Sequence, residues 1–458
     1  MIADPIGKVR VRATGILRAH GLTPFRNILT PQMIRQAHPV PSPPKTILIP
    51  EVVFWLMATA ALGAKAMAGC AGSFWASLRG VLPWLPAQPV TEEAFCTARG
   101  ALPLRFFLHV FMAVVAKFSA RFDSANRWKG RRLLGIDGMD VNLPNNPHVR
   151  RLFPPAGNQH GAKGPPQGRL VGLVGLRDGV CYAFRWTCLG VSEQTSARRL
   201  LRHVHRGDLL MADRNFPDKA TWAGVLAQGA DFLFHLPSNR FLGKTWKRHP
   251  TPSGRKDEWS IHVPLPADVQ NPYPRLGSQI RVRILQYQIE GFRASWLATS
   301  LLDSEEFPYE DLVELYHERW CQETFHREWK HTLELSNLRS HGASGLLKEI
   351  LVQLTLNNLI RWIMSEAAPP SVGPVRLKFL AAKRLILDSI PAMTAAPVDR
   401  LPALYRQLQK DIARQRILVR PGRRYPRRWD ARGRPKGQGK IAAPAKLIVA
   451  KENRPAPI

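Results

Sequence analysis

Four residues in the stretch YHERWCQETFHREWK, which runs from Tyr316 to Lys330, carry groups suited to phosphate chemistry: the phenol of Tyr316, the cations of Arg319 and Lys330, and the carboxylate of Glu323. On an ideal α-helix at about 100° per residue they fall within an arc of about 60°, as a stripe about 20 Å long. An ordinary surface helix interleaves charges at i,i+4, and Glu323 with Arg327 has that spacing. From this segment alone a solvated, salt-bridged face and a phosphate-handling face are equally open. Two aspartates upstream change the balance. Asp137 closes the apolar run LLGID, and Asp213 closes LLMAD. A single carboxylate in such a place also serves as a turn former or helix cap. If Asp137, Asp213 and Glu323 converge, however, they supply hard oxygen ligands suited to two Mg²⁺ ions. Two ions about 3.5–4 Å apart clamp the attacking and leaving oxygens of an in-line phosphoryl displacement. Arg319 would then grip a neighbouring phosphate through its bidentate fork, and Lys330 as a point charge.

The rest of the composition fits a polyanion partner. The 458 residues hold 66 Lys and Arg against 34 Asp and Glu, a net charge of +32. The excess is spread along the chain, and nucleic acid is the partner such a field implies. Hydrophobic residues make up 45%, enough for a sizeable core in two or three domains. Cysteines at 70, 96, 181, 188 and 321 are odd in number and form no C-x-x-C pair, which argues against a disulfide framework or a zinc site and for a reducing compartment. The start, MIADPIGKVRVRATG, lacks the apolar segment of a signal peptide. The run VVFWLMATAALG is too short to span a bilayer and reads as a buried helix. A cytoplasmic protein with no membrane partner is expected.

The elements that must position these residues follow from patterning. Residues 1–130 read as short helices punctuated by Gly and Pro, among them GSFWASLRGVLPWL and TEEAFCTARGAL, with Thr91 as an N-cap ahead of Glu92 and Glu93. From 131 to 237 the order is strand, hairpin, helix, strand, helix, strand, with Asp178-Gly179 at the hairpin turn. That order suits a mixed sheet covered by helices. Residues 238–308 read as a separate β-rich insert. A long helix through Lys330 and further helices fill 309–395. Residues 396–458 are helical, then basic: RPGRRYPRRWDARGRPKGQGK reads as a poorly ordered tail able to lie on phosphates.

These motifs resemble the insertion sequence 4 family of bacterial DDE transposases. The family signature Y-x2-R-x3-E-x6-K matches Tyr316, Arg319, Glu323 and Lys330 at every spacing. GIDGMDVNLP around Asp137 and MADRNF around Asp213 resemble the contexts of its two aspartates, and FPPAGNQHGAKGPPQGRLVGLVGL resembles the stretch after the first. Asp140 stands near Asp137, and the IDG context favours Asp137. His160 reads as a solvated loop residue, and Asn215 stands where relatives often carry Gly. The resemblance implies an α/β fold with an RNase H-like core, interrupted by the β-rich insert and preceded by a helical end-binding domain. It implies cut-and-paste transposition of an insertion sequence: end nicking, a hairpin intermediate, its resolution and strand transfer. Asp137, Asp213 and Glu323 would hold two Mg²⁺ ions, with Mn²⁺ able to substitute. Tyr316, Arg319 and Lys330 would contact phosphates. Trp296 would support a flipped base or, alternatively, pack as a core strand residue. Terminal inverted repeats and target DNA would be the partners of a homodimer. A transposase-derived DNA-binding protein without catalysis, or an RNase H-like nuclease, are the alternatives.

One outcome follows from charge alone. DNA affinity measured by filter binding or anisotropy should fall steeply between about 50 and 200 mM salt, as displaced counterions require; a flat response would contradict the polyanion reading.

Overall fold

The apolar run before Asp137 is buried from Arg132 to Ile136, as expected of a strand covered on both faces. It forms the first half of β1 (Arg131–Asn142). The later strands are β2 (Gln167–Gly175), β3 (Cys181–Cys188), β4 (Asp208–Ala212), β5 (Asp231–Leu236), β6 (Glu258–Pro264), β7 (Gln279–Ile289) and β8 (Ser295–Thr299). The helices are α1 (Pro31–Ala37), α2 (Pro50–Gly63), α3 (Glu92–Ala101), α4 (Leu104–Phe122), α5 (Lys219–Ala227), α6 (Tyr309–His317), α7 (Cys321–Arg327), α8 (Ala343–Ala367), α9 (Phe379–Ala395) and α10 (Leu401–Arg414), besides shorter turns. The computed structural model describes residues 23–38, 48–63, 91–123, 127–158, 161–162, 164–237, 249–251, 253–289, 294–417, 427–429, 435–438 and 447–448. The expected helix GSFWASLRGVLPWL, His160 and most of the basic tail lie outside them. Two compact units divide the chain. The first comprises Met1–Arg127, Gly138–Ser192 and Cys321–Arg416; the second comprises Trp128–Asp137, Glu193–Trp320 and Ile417–Ile458.

In the second unit the strand order is β1-β4-β5-β8-β7-β6. β1 runs parallel to β4 and β4 parallel to β5, with α5 crossing between β4 and β5. Asp218 caps α5 by accepting from Thr221 N at 2.7 Å, so Pro217 stands just outside the helix. Trp222 of α5 stacks on Phe232 of β5 at 5.3 Å, covering one sheet face. β8, β7 and β6 follow antiparallel. The β-rich segment is therefore no separate sheet: β8 pairs with β5, and its strands extend the core sheet. Patterning marks strands but carries no information on which neighbour they choose.

β7 also holds the approach to α6. Arg283 and Glu258 form a fully buried ion pair at 2.8 Å, and Arg283 Nη1 donates to the carbonyl of Phe307 at 2.7 Å. Tyr309, the first residue of α6, donates its hydroxyl to Gln286 O at 2.6 Å, under the guanidinium of Arg255 at 4.1 Å.

In the first unit the second half of β1 lies beside β2, which pairs with β3. Asp178-Gly179 makes the turn as expected, with Gly179 at φ +72° and Val180 N donating to Asp178 Oδ1 at 2.8 Å. α8 is buried over most of its circumference and forms the core of this unit. Phe118 and Phe122 of α4 meet Trp362 of α8 edge-on at 5.9 and 5.1 Å. Lys348 donates to the carbonyls of Arg99 and Gly100, both at 3.0 Å, satisfying the C-terminal end of α3. At the other end of α3, Thr91 accepts from Ala94 N at 3.2 Å, the expected cap. Among the described residues no single helix is long and apolar enough to cross a membrane. The fold class is α/β, a mixed sheet flanked by helices, consistent with an RNase H-like core.

The hairpin hangs on two buried amides. Asn358 accepts from Cys181 N and donates to Cys181 O, both at 2.9 Å, and Asn357 donates to Gly179 O at 3.0 Å. Asn358→Ala should lower unfolding free energy by about 1–3 kcal/mol, since it orphans a buried backbone donor and acceptor; urea denaturation measures it.

Candidate active site

Parallel pairing of β1 and β4 sets Ile136 opposite Ala212, the last matched residues of the ladder. The next residue on each strand is an aspartate, Asp137 and Asp213. Neighbouring strands lie about 4.8 Å apart, so the two carboxylates leave the sheet side by side. Their place, at the C-terminal ends of parallel strands, is where open α/β sheets bind ligands. Alternation assigns the face. Asp137 and Asp213 share it with His235, one residue beyond the Ala212–Phe234 match, and with Leu297, opposite His235.

α6 covers that face. Tyr316 is buried and stacks on His235 at 5.9 Å, while its hydroxyl donates to Ala212 O at 3.4 Å, just before Asp213. Arg319, 7% exposed, lies one turn further on in a 3₁₀ segment, Glu318–Trp320. Its guanidinium stands 4.0 Å from Asp137 Oδ2 and 5.8 Å from the Tyr316 ring centre. A cation there offsets the repulsion between two adjacent carboxylates. Asp213 also performs the turn-forming role open to it: Oδ1 accepts from Asn215 N at 2.9 Å.

Titration behaviour follows from this crowding. Burial pushes the Tyr316 phenol up, against the pull of Arg319, so it stays a neutral donor. Burial pushes Tyr287 up to about 12, with Ser295 and Arg319 acting the other way. His235 is pushed down to about 4, first by burial, then by Arg214, with Asp213 opposing and Arg319 adding to the repulsion.

Tyr316, Arg319, Asp137 and Asp213 are thus brought together inside the second unit. Trp296 is not. It pairs with Leu236 and Gln286, one step out of phase with Leu297 and His235, so it faces the opposite side of the sheet. Of the two readings of Trp296, the register supports the packing residue. Asp140 forms a bidentate pair with Arg169 at 2.8 and 3.2 Å, as suits a structural role. Sequence reasoning missed His235 and Tyr287; His235 was legible as the polar residue interrupting DFLFHLP.

Glu323 and Lys330 belong to the first unit, and the helix that carries them is not one continuous α-helix. The chain passes from α6 through the 3₁₀ turn into α7 and then a π-helical turn, Glu328–Thr332. The single 60° stripe estimated for an ideal helix is therefore broken. Glu323 is exposed on α7, and Lys330 is half-buried in the π-turn. Two contacts hold the turn to α8: Trp329 Nε1 donates to Asn357 Oδ1 at 3.1 Å, and Glu328 pairs with Arg361. Arg361 also lies over the rings of Phe325 and Phe379 at 5.0 and 4.6 Å. Burial raises the Glu328 pKa, and Arg361 pulls it back. A β-carbon at Gly172 would stand 2.9 Å from the Trp329 ring, so this packing requires glycine there. Among the described residues, no group of three or more His, Cys, Asp or Glu side chains lies close enough to hold a metal ion. The two aspartates do fit one by donor chemistry: adjacent hard oxygens with a cation already beside them.

A mixed sheet with paired aspartates at its ligand-binding edge defines the class of phosphoryl-transfer enzymes that act on nucleic acid. Residues 128–359 match the family model described as the transposase DDE domain, and the chain belongs to that family. It is an insertion sequence 4 family DDE transposase, a metal-dependent enzyme that cleaves DNA. It is 25% identical to transposase InsG of insertion sequence element IS4 from Escherichia coli K12, over 66% of this chain and 68% of that protein. It is also similar to the piggyBac transposase in a synaptic complex with hairpin DNA, with a TM-score of 0.42 and 10% identity over 91% of this chain and 89% of that one.

His235 gives a test by pH. Its ordinary value is about 6.5, so between about 4 and 6.5 the unfolded chain holds the extra proton and stability rises with pH. His235→Gln should flatten that rise, as read by urea unfolding across the interval.

Proposed function

We propose that this transposase moves an insertion sequence by cutting and pasting, with Asp137, Asp213 and Glu323 as the carboxylates that hold two Mg²⁺ ions and accept Mn²⁺ in their place. The observation that carries the reading is the register of β1 and β4, which sets Asp137 beside Asp213 with Arg319 4.0 Å from the first. Bound divalent ions would polarise the scissile phosphate and lower the pKa of the attacking water or 3′-hydroxyl. No protein nucleophile is required, and the side chains have binding and orienting roles.

Arg319 presents a permanently charged, planar donor beside the two carboxylates, where a phosphate of the cut strand would lie. Tyr316, kept protonated by burial, orients that guanidinium through its ring and a hydrogen bond. Lys330 adds a second positive point for the same strand. The nicked end's 3′-hydroxyl then attacks the opposite strand to give a hairpin, and resolution and strand transfer reuse the site. The residue 1–130 segment and the basic 396–458 segment grip the terminal inverted repeats and target DNA, and a homodimer bridges the two ends. Trp296 is left out of the base-holding role because of the sheet face it occupies.

Glu323→Gln should abolish end nicking in Mg²⁺ and in Mn²⁺ while leaving end binding within a few-fold of the native chain. Nicking of a supercoiled plasmid bearing the terminal repeats, beside a gel-shift titration, measures both. Native-rate nicking by this variant would overturn the assignment.

A further inference from the structure

Beneath the two aspartates the β1–β4 ladder is uniformly apolar. Leu133, Leu134, Gly135 and Ile136 stand opposite Leu209, Leu210, Met211 and Ala212. Such a run does not define its own register, since sliding one strand by a residue again sets apolar beside apolar. In a sheet covered on both faces the usual penalty for a slip, an apolar residue turned to water, is also missing. Yet a slip would separate Asp137 from Asp213 and turn one of them to the other face. One polar contact in this ladder resists it. At its opposite end Arg132 lies directly across from Asp208, and both are buried, at 8% and 3% exposure. The pair is bidentate, with Nε to Oδ1 at 2.9 Å and Nη2 to Oδ2 at 2.7 Å. Oδ2 also accepts from His205 N at 2.7 Å, and Arg132 Nη2 lies 3.2 Å from His205 Nδ1. The Arg132 backbone amide donates to Gly207 O at 3.3 Å.

The spacing makes the connection. From Arg132 to Asp137 is 137 − 132 = 5 residues, and from Asp208 to Asp213 is 213 − 208 = 5. Whatever fixes the first pair opposite each other fixes the second. We propose that Arg132 and Asp208 are positioning residues for catalysis: a buried register lock that holds the Asp137 and Asp213 carboxylates level. The inference rests on the reading of those two aspartates given above. Registry is the best-attested use of a buried polar pair, because apolar residues of similar volume often give equal or greater stability. Stability alone therefore does not account for an arginine and an aspartate here, and alignment does.

The double variant Arg132→Met/Asp208→Leu separates alignment from stability. Thermal unfolding, end binding and steady-state nicking in Mg²⁺ are measured together. The expected result is a melting temperature at or above native, KM for the end within about twofold, and kcat lowered at least about tenfold. Native kcat in the folded double variant overturns the inference. If that variant does not fold, Asp208→Asn keeps the shape and an acceptor but removes the charge; it too should lose kcat with KM held, and native kcat there is equally fatal. Asp137→Asn runs alongside. Full-rate nicking by Asp137→Asn would sink the reading of the carboxylates themselves. An inactive Asp137→Asn beside a full-rate Arg132→Met/Asp208→Leu sinks the register lock alone.

Discussion

Two parallel strands have to stay level. β1 and β4 deliver Asp137 and Asp213 to the same edge of the sheet, and β5 delivers His235 one strand further on. Every side chain over that edge takes its place from this alignment: Tyr316 by its stack on His235 and its bond to Ala212 O, and Arg319 by its approach to Asp137. Side-chain direction alternates along a strand, so an error of one residue does not weaken the arrangement gradually; it turns a group to the wrong face. The same alternation removes Trp296 from the site although only one residue separates it from Leu297.

The first unit solves a different problem, holding an irregular helix still. The chain after Arg319 changes from 3₁₀ to α to π geometry within fifteen residues, Glu318–Thr332. Short helices of mixed type have little stability of their own. Here the stability comes from α8, through Trp329 on Asn357 and Glu328 on Arg361, with Phe325 packed beneath the same guanidinium. Asn357 in turn holds the β2–β3 turn at Gly179. One buried polar row on α8 thus secures both the hairpin and the helix bearing Glu323 and Lys330.

Much of this was legible in the sequence where local chemistry decides. The Asp178-Gly179 turn, the Thr91 cap and the strands ending at Asp137 and Asp213 each rest on residues within a few positions of one another. What depends on long-range pairing was not legible. The strands of the β-rich segment are recognisable, but nothing local says that β8 joins β5 instead of forming a sheet apart. The face of Trp296 depends on that pairing. The uniform wheel drawn from Tyr316 to Lys330 failed because tertiary anchors at Glu328 and Trp329, not backbone preference, set the helix type there. His235 and Tyr287 carry no motif and emerge as site neighbours only once strands distant in the chain are adjacent.

The π-turn at Glu328–Thr332 has a consequence for how the gene can change. A turn of this type carries one residue more than the α-turn it replaces. Removing a single codon within it would let the helix close in ordinary α form and swing whatever follows by about 100°. Point substitutions around Lys330 alter charge, whereas a one-codon deletion would re-aim that amine relative to the Trp329 anchor without altering composition elsewhere. Diverging copies of this element therefore have a short mutational route to a redirected lysine, by a change of length.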